Sequence, residues 1–398
     1  MLDLETAVAQ VLAALPAPQS ERIPLAVAAG RILAEPVVAA LDLPPFDNSA
    51  MDGYAVRAAD AQGAKLEAPA RLRLQGRIPA GETFAGELAP GECARVFTGA
   101  PLPREADAVV MQEDTRREGD DVLVLDSVKP RENVRYQGED VHHGTVLAEA
   151  GAEISPGLIG LLGAIGVGEV AVGRQPMVGL IATGSELQEP GQPRAPRQIY
   201  ESNRGMLAAL LTRAGARPKA YPLVRDTLEA TRLALEQAFA ECDIVVTSGG
   251  VSVGELDFVK AAFEVLGGQL EFWRVAIRPG KPFVFGRLGS KFLFGLPGNP
   301  VSASVTFLLL AYPALRHWQG VTSTALPTYS GVLGETFTNS GDRRHWVRVR
   351  RDKGGKVFSA GQQASHVLSA LARADGLLEL AAGQCLLPGQ AVTVLRVW

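Results

Sequence analysis

The amino-acid sequence predicts a multidomain α/β protein: a doubly wound, mainly parallel sheet with β-rich segments before and after it in the chain. Three observations lead there. Between residues 177 and 316, short apolar runs alternate with helix-length runs, the order expected of right-handed crossovers between parallel strands. Residues 66–150 and 326–398 have strand-like alternations broken by Gly and Pro, the pattern of small β-modules. Two glycine-rich loops, 247–257 and 295–303, follow apolar strands directly. Doubly wound sheets place their ligands outside such strand ends.

Taken in order, Leu4, Val8, Val11, Leu12 and Leu15 form one apolar face of a helix over 3–15. Residues 42–60 read as irregular, with Pro44-Pro45 and Asn48-Ser49. Alternations such as Leu72-Arg73-Leu74 and Val122-Leu123-Val124-Leu125 mark the first β-module. A strand at 177–182 leads into Thr183-Gly184-Ser185-Glu186. A helix at 203–214, a strand near 219–224, a helix at 227–241 and a strand at 243–247 follow. The rest of the sheet is expected as a helix at about 257–267, strands near 270–276, 282–286 and 291–295, and a helix at 300–316. Trp346-Val347-Arg348-Val349-Arg350 and Ala391-Val392-Thr393-Val394-Leu395 belong to a small closing β-domain.

Composition narrows the classes. The chain has 398 residues, 47% hydrophobic and 21% charged, enough for two to four domains with sizeable cores. A net charge of −4 gives no reason to expect nonspecific nucleic-acid binding. Cys93, Cys242 and Cys385 are too scattered for a disulfide framework or a zinc site. The first residues are acidic rather than basic, unlike a signal peptide, and the apolar run at 305–315 is too short for a bilayer. A cytoplasmic protein with no membrane partner is expected.

The loops carry the candidate chemistry. In Pro297-Gly298-Asn299-Pro300, Asn299 suits an N-cap and Pro300 the first helical position. The segment is either a capped helix start with no ligand, or an anion site to which Ser302 adds a hydroxyl. In the other loop, Gly249 and Gly250 let backbone N–H groups turn toward a ligand. Ser252 and Glu255 fit a capping box, and Asp257 is either a first-turn carboxylate or a Mg²⁺ ligand or activator of a nucleophile. Glu186 and Asp226 end neighbouring strands, so three acids could form one divalent-metal site, or each could cap a helix. Arg274, Arg278 and Lys281 crowd a Pro-Gly turn, as an oxyanion site or as a solvated basic rim. Gly250-Val251-Ser252-Val253-Gly254 also fits the nucleophile pattern of serine hydrolases. Against it, Ser252 lies several residues past the strand and no His-Gly-Gly segment supplies an oxyanion hole.

Together these segments resemble the molybdopterin molybdenumtransferases, the molybdate-insertion enzymes akin to the C-terminal domain of gephyrin. The resemblance rests on Pro45-Phe46-Asp47-Asn48-Ser49-Ala50-Met51-Asp52-Gly53-Tyr54-Ala55, on Phe97-Thr98-Gly99-Ala100-Pro101 and on Ala106-Asp107-Ala108-Val109-Val110-Met111-Gln112-Glu113. The two loops at 247–257 and 295–302 complete it. It implies four domains: an N-terminal linker domain from 1–52 and 141–175, an inserted β-rich domain at 53–140, a molybdopterin-binding-like α/β domain at 176–325 and a C-terminal β-barrel at 326–398. It implies a homodimer that takes molybdate and adenylylated molybdopterin and, with Mg²⁺, releases AMP. Transient contacts with the molybdopterin adenylyltransferase or with molybdoenzyme acceptors follow from the same resemblance. By it, Asp257, Glu186 and Asp226 match catalytic and metal-binding acids. Asp52, Thr98 and Asp140 match residues facing the partner subunit's cleft. Arg278, Lys281, Ser302, Arg348 and Ser365 match positions linked to molybdate or phosphate binding, beside the further candidate binding positions Thr183, Ser248, Gly249, Gly250, Ser252, Arg274 and 297–300.

The chain departs from the family where Arg274 and Arg278 replace a frequent Lys, which changes donor geometry. Ser185 also replaces a frequent Asp or Asn, weakening any metal or water contact there. A non-catalytic molybdopterin-binding scaffold, a serine hydrolase and the sister adenylyltransferase are the rival readings. The β-modules at 53–140 and 326–398 argue against the last.

Overall fold

The computed structural model describes residues 1–251 and 258–397. Its contacts group into two units, one of residues 1–35, 150–154 and 169–398, the other of 36–149 and 155–168.

The second unit centres on a six-stranded sheet in the order Ala108–Met111, Gly53–Val56, Glu92–Val96, Lys65–Ile78, Asp121–Asp126, Thr115–Glu118. One face packs Val56, Leu72, Cys93, Val110 and Val122, and the other Ala55, Ile78, Val96 and Val109. The stretch read as irregular, 42–60, contains the strand Gly53–Val56, and all four of its residues are buried. Burial on both faces removes the alternation that marks a strand in sequence. Gly53 is required there, since a Cβ would lie 2.0 Å from Val110 O.

The first unit holds the α/β sheet. We label its strands β1 (Met177–Ala182), β2 (Arg217–Ala220), β3 (Ile244–Ser248), β4 (Gln269–Trp273), β5 (Val284–Leu288) and β6 (Lys291–Leu296). The order is β2-β1-β3-β6-β5-β4. The pairs β1–β2, β1–β3 and β3–β6 are parallel, and β5 joins β6 and β4 antiparallel. Helices Asn203–Arg213 and Pro300–Thr306 cover one face with Leu207, Leu211, Val301 and Val305, and helices Leu228–Glu241 and Val259–Val265 the other with Leu235, Phe239 and Phe263. The doubly wound reading therefore holds, with a mixed edge. The second strand ends at Ala220, earlier than expected, and Val224 instead makes an isolated bridge to Thr183. The helix expected over 300–316 continues to Trp318 but widens into a π-helical turn over Phe307–Ala311. Pro313 lacks an N–H and its ring would press on the preceding turn, which the wider turn relieves.

The C-terminal strands close a five-stranded barrel. Arg344–Arg351 pairs with Lys356–Ser359 and Gly376–Leu380, while Ala391–Arg396 joins the latter to Thr328–Leu333, which pairs back to Lys356–Ser359. Val347, Val349, Leu378 and Val394 fill it. Trp346 points the other way, into the core of the α/β sheet. Ile277–Arg278 adds to Arg344–Arg351 in parallel, tying the barrel to the basic turn. Among the described residues, no helix is long and apolar enough to cross a membrane.

Candidate active site

Strand ends of the α/β sheet and one helix start enclose a cavity of about 540 Å³ lined by Thr183, Glu186, Asn203, Ser248, Gly298 and Asn299, among others. The loops approach backbone to backbone. Thr183 N donates to Ser248 O (3.1 Å) and Gly249 N to Leu296 O (3.1 Å). Gly249 has φ +92°, and a Cβ on it would lie 2.8 Å from Thr183 O. A Cβ on Gly298 would lie 3.6 Å from Gly249 Cα. At Gly249 glycine therefore fits for closeness as well as for backbone angle, whereas a Cβ on Gly298 would make an ordinary contact.

Asn203 clamps two of these loops. Its Nδ2 donates to Ser248 Oγ and to Gly298 O, both at 2.7 Å. Glu201 caps the same helix: its Oε1 accepts from Asn203 N (2.6 Å) and Arg204 N (2.8 Å), and its Oε2 from Arg204 Nε (3.2 Å). Sequence reading passed over both residues because they lie outside the glycine-rich loops. The available signal was a polar cluster, Glu201-Ser202-Asn203, opening a helix just before the sheet resumes.

The predicted acids divide. Glu186 is exposed and lines the cavity. Asp226 Oδ2 accepts from Ser185 N (2.8 Å), and Asp226 N donates to Ser185 Oγ (3.1 Å). Ser185 thus braces the loop of Asp226. Asp257 and Ser252 lie outside the described residues. Among those described, no group of three or more His, Cys, Asp or Glu is arranged to hold a metal ion. Strand β3 ends at Ser248, four positions before Ser252 in the sequence.

At the third loop, Asn299 stands at the N-cap of Pro300–Thr306, yet its side chain makes no capping bond. Val301 N donates instead to Ser365 O (3.2 Å), so Ser365 reaches the helix start through its backbone. Ser302 is 5% exposed and packs inward, away from the cavity lining. The free helix-start donors are accordingly fewer than the sequence suggested. Gly280 has φ +108°, and a Cβ there would meet Thr306 Cγ2 at 2.4 Å. That contact packs the turn between Arg278 and Lys281, both exposed, against the same helix. Arg274 has its guanidinium 3.8 Å over the Trp273 ring, while Trp273 Nε1 donates to Val251 O (3.2 Å).

Arg348 is fully buried. Its Nη2 donates to Gln362 O (2.9 Å) and Ala364 O (3.2 Å), while Nε and Nη1 have no partner among the described residues. Burial pushes its guanidinium down to about 10, still a cation at neutral pH. His345 is pushed down to about 4, by burial first and then by Arg278 and Arg348. In the other unit, Thr98 N and Oγ1 both donate to Asp52 Oδ1 (2.8 Å), which lowers the Asp52 carboxyl. Asp140 N donates to Leu43 O (3.0 Å), and its side chain is exposed.

These features define a class: a multidomain protein of the doubly wound α/β type, with a polar cavity at the carboxyl ends of its strands and a small barrel packed beside it. Residues 2–166 match the MoeA N-terminal region (domain I and II), 179–317 a probable molybdopterin binding domain, and 330–397 the MoeA C-terminal region (domain IV). A molybdopterin molybdenumtransferase of Haemophilus influenzae is 39% identical over 387 residues, covering 96% of this chain and 94% of that protein. Molybdopterin molybdenumtransferase 2 of Mycobacterium tuberculosis is 41% identical over 382 residues, covering 94% of each. The crystal structure of a molybdopterin biosynthesis MoeA protein from Pyrococcus horikosii superposes over the full length of both chains, with a TM-score of 0.84 and 32% identity. The chain belongs to the molybdopterin molybdenumtransferase family.

Proposed function

We propose that this protein inserts molybdate into adenylylated molybdopterin and releases AMP in a Mg²⁺-dependent reaction, giving molybdenum cofactor. The observation that carries the reading is the meeting of three strand-end loops at one cavity, with the cationic turn of Arg278 and Lys281 packed on the helix that the third loop starts. Cleaving a phosphoanhydride spreads negative charge, which fixed amides and cations stabilise without reorganising. Arg278, Lys281 and buried Arg348 supply that positive charge on the barrel side. Asp257 orients the attacking molybdate oxygen or holds the metal.

Magnesium takes few carboxylates, keeps several waters and completes its shell on substrate phosphates. Glu186, exposed at the cavity, suits that role, and Asp226 is less free because Ser185 N holds its Oδ2. With Asp257, these residues would hold the ion, whose charge would offset that of the phosphoanhydride oxygens.

We further infer a homodimer in which Asp52, Thr98 and Asp140 face the partner's cavity. The Asp52–Thr98 bonds would make those two act as one unit. Substitution Asp257→Asn should abolish AMP release from adenylylated molybdopterin while leaving ligand binding largely intact. Full turnover by that variant would refute the assignment.

A further inference from the structure

Asn203 is 8% exposed and lines the cavity. Gly298 O can only accept, so the bonds to Ser248 and Gly298 fix which way the amide faces and use both Nδ2 hydrogens. Asn203 Oδ1 is left as a buried acceptor with no hydrogen-bond partner among the described residues. Folded proteins rarely keep such an atom unless something else supplies a donor. Thr183 also lines the cavity, and its Oγ1 is a second buried oxygen without a partner among those residues.

We propose that Asn203 Oδ1 receives the lactam N–H of the substrate's pterin, which makes Asn203 a specificity-determining residue. The proposal rests on the substrate reading given above. A pterin carries its lactam N–H and its 2-amino group side by side, so that edge asks only for acceptors. Asn203 Oδ1 takes the first of these donors. The adenine half of the substrate fits less well. An asparagine that reads adenine donates to a ring nitrogen while accepting from the amine, and Asn203 has no donor left.

The test titrates the full-length chain with pterin, 3-methylpterin and AMP, following ligand fluorescence and heat. The wild type should bind pterin at least about tenfold more tightly than 3-methylpterin, whose methyl group replaces the N–H. In Asn203→Leu that preference should fall to about onefold, because the acceptor is gone. In Ser248→Ala, which removes one leg of the clamp and keeps the acceptor, the preference should persist. A purely structural Asn203 would weaken both pterins together and leave their ratio unmoved. Four results overturn the proposal: equal affinities in the wild type, no binding of either pterin, an unmoved ratio in Asn203→Leu, or AMP as the ligand that responds to that substitution. AMP release by the wild type is measured alongside. Its absence would sink the proposed reaction itself, whereas release with an unmoved ratio would sink only the role of Asn203.

Discussion

His345 lies in the barrel strand Arg344–Arg351 and is 6% exposed, with Arg278 beside it as its strand partner. Its folded pKa, about 4, is below the ordinary 6.5. Between these values the unfolded chain binds the proton and the folded chain does not, so stability falls as pH drops from 6.5 toward 4. The full effect is on the order of 3 kcal/mol. Denaturant titrations across that window should show a shallower pH dependence in His345→Gln than in the wild type; identical slopes would mean that His345 titrates normally. Residue-level legibility was uneven. Glu186 and Gly298 were readable because they follow apolar strands directly, where a doubly wound sheet places its cavity. Asn203 was not, because an asparagine opening a helix reads as an ordinary cap, and only its bonds to Ser248 and Gly298 distinguish it.

The loops at the strand ends are set by how closely their backbones approach. Gly30 and Gly249 both have positive φ, but a Cβ on Gly30 meets nothing within 4 Å while one on Gly249 meets Thr183 O at 2.8 Å. Gly30→Ala should therefore show backbone strain alone, about 1 kcal/mol. Gly249→Ala should destabilise by about 2 kcal/mol or more, because a carbonyl must also move, and should raise KM for the adenylylated substrate. Denaturant midpoints and steady-state kinetics of the pair check this, and equal losses of stability would show that the close approach does not matter. Elements with clear periodicity, such as Leu4–Ala14 and Leu228–Glu241, were legible to within a residue or two. Gly53–Val56 and the π-helical turn over Phe307–Ala311 were not: one is buried on both faces, and the other depends on how Pro313 fits its helix.

For the whole molecule, the proposed dimer makes a site that needs both subunits. Mixing Asp257→Asn chains with Asp52→Ala chains should restore activity that neither has alone. Random pairing makes half of the dimers mixed, each with one intact site of two, so recovery should approach about a quarter of the wild-type rate. No recovery after subunit exchange, or a monomer by light scattering, would reject the shared site.

By itself the sequence determined the order of strands and helices along the α/β sheet, the doubly wound class and the loops that meet at the cavity, because hydrophobic period and glycine placement are local properties of the chain. Only the tertiary structure decided that Ser185 braces Asp226, that Ser302 turns inward, that Ser365 meets the helix start through its backbone and that Asn203 holds two loops together. All but the burial of Ser302 are contacts between residues far apart in sequence, and which polar atoms are left over for a ligand is known only once the fold has paired the rest.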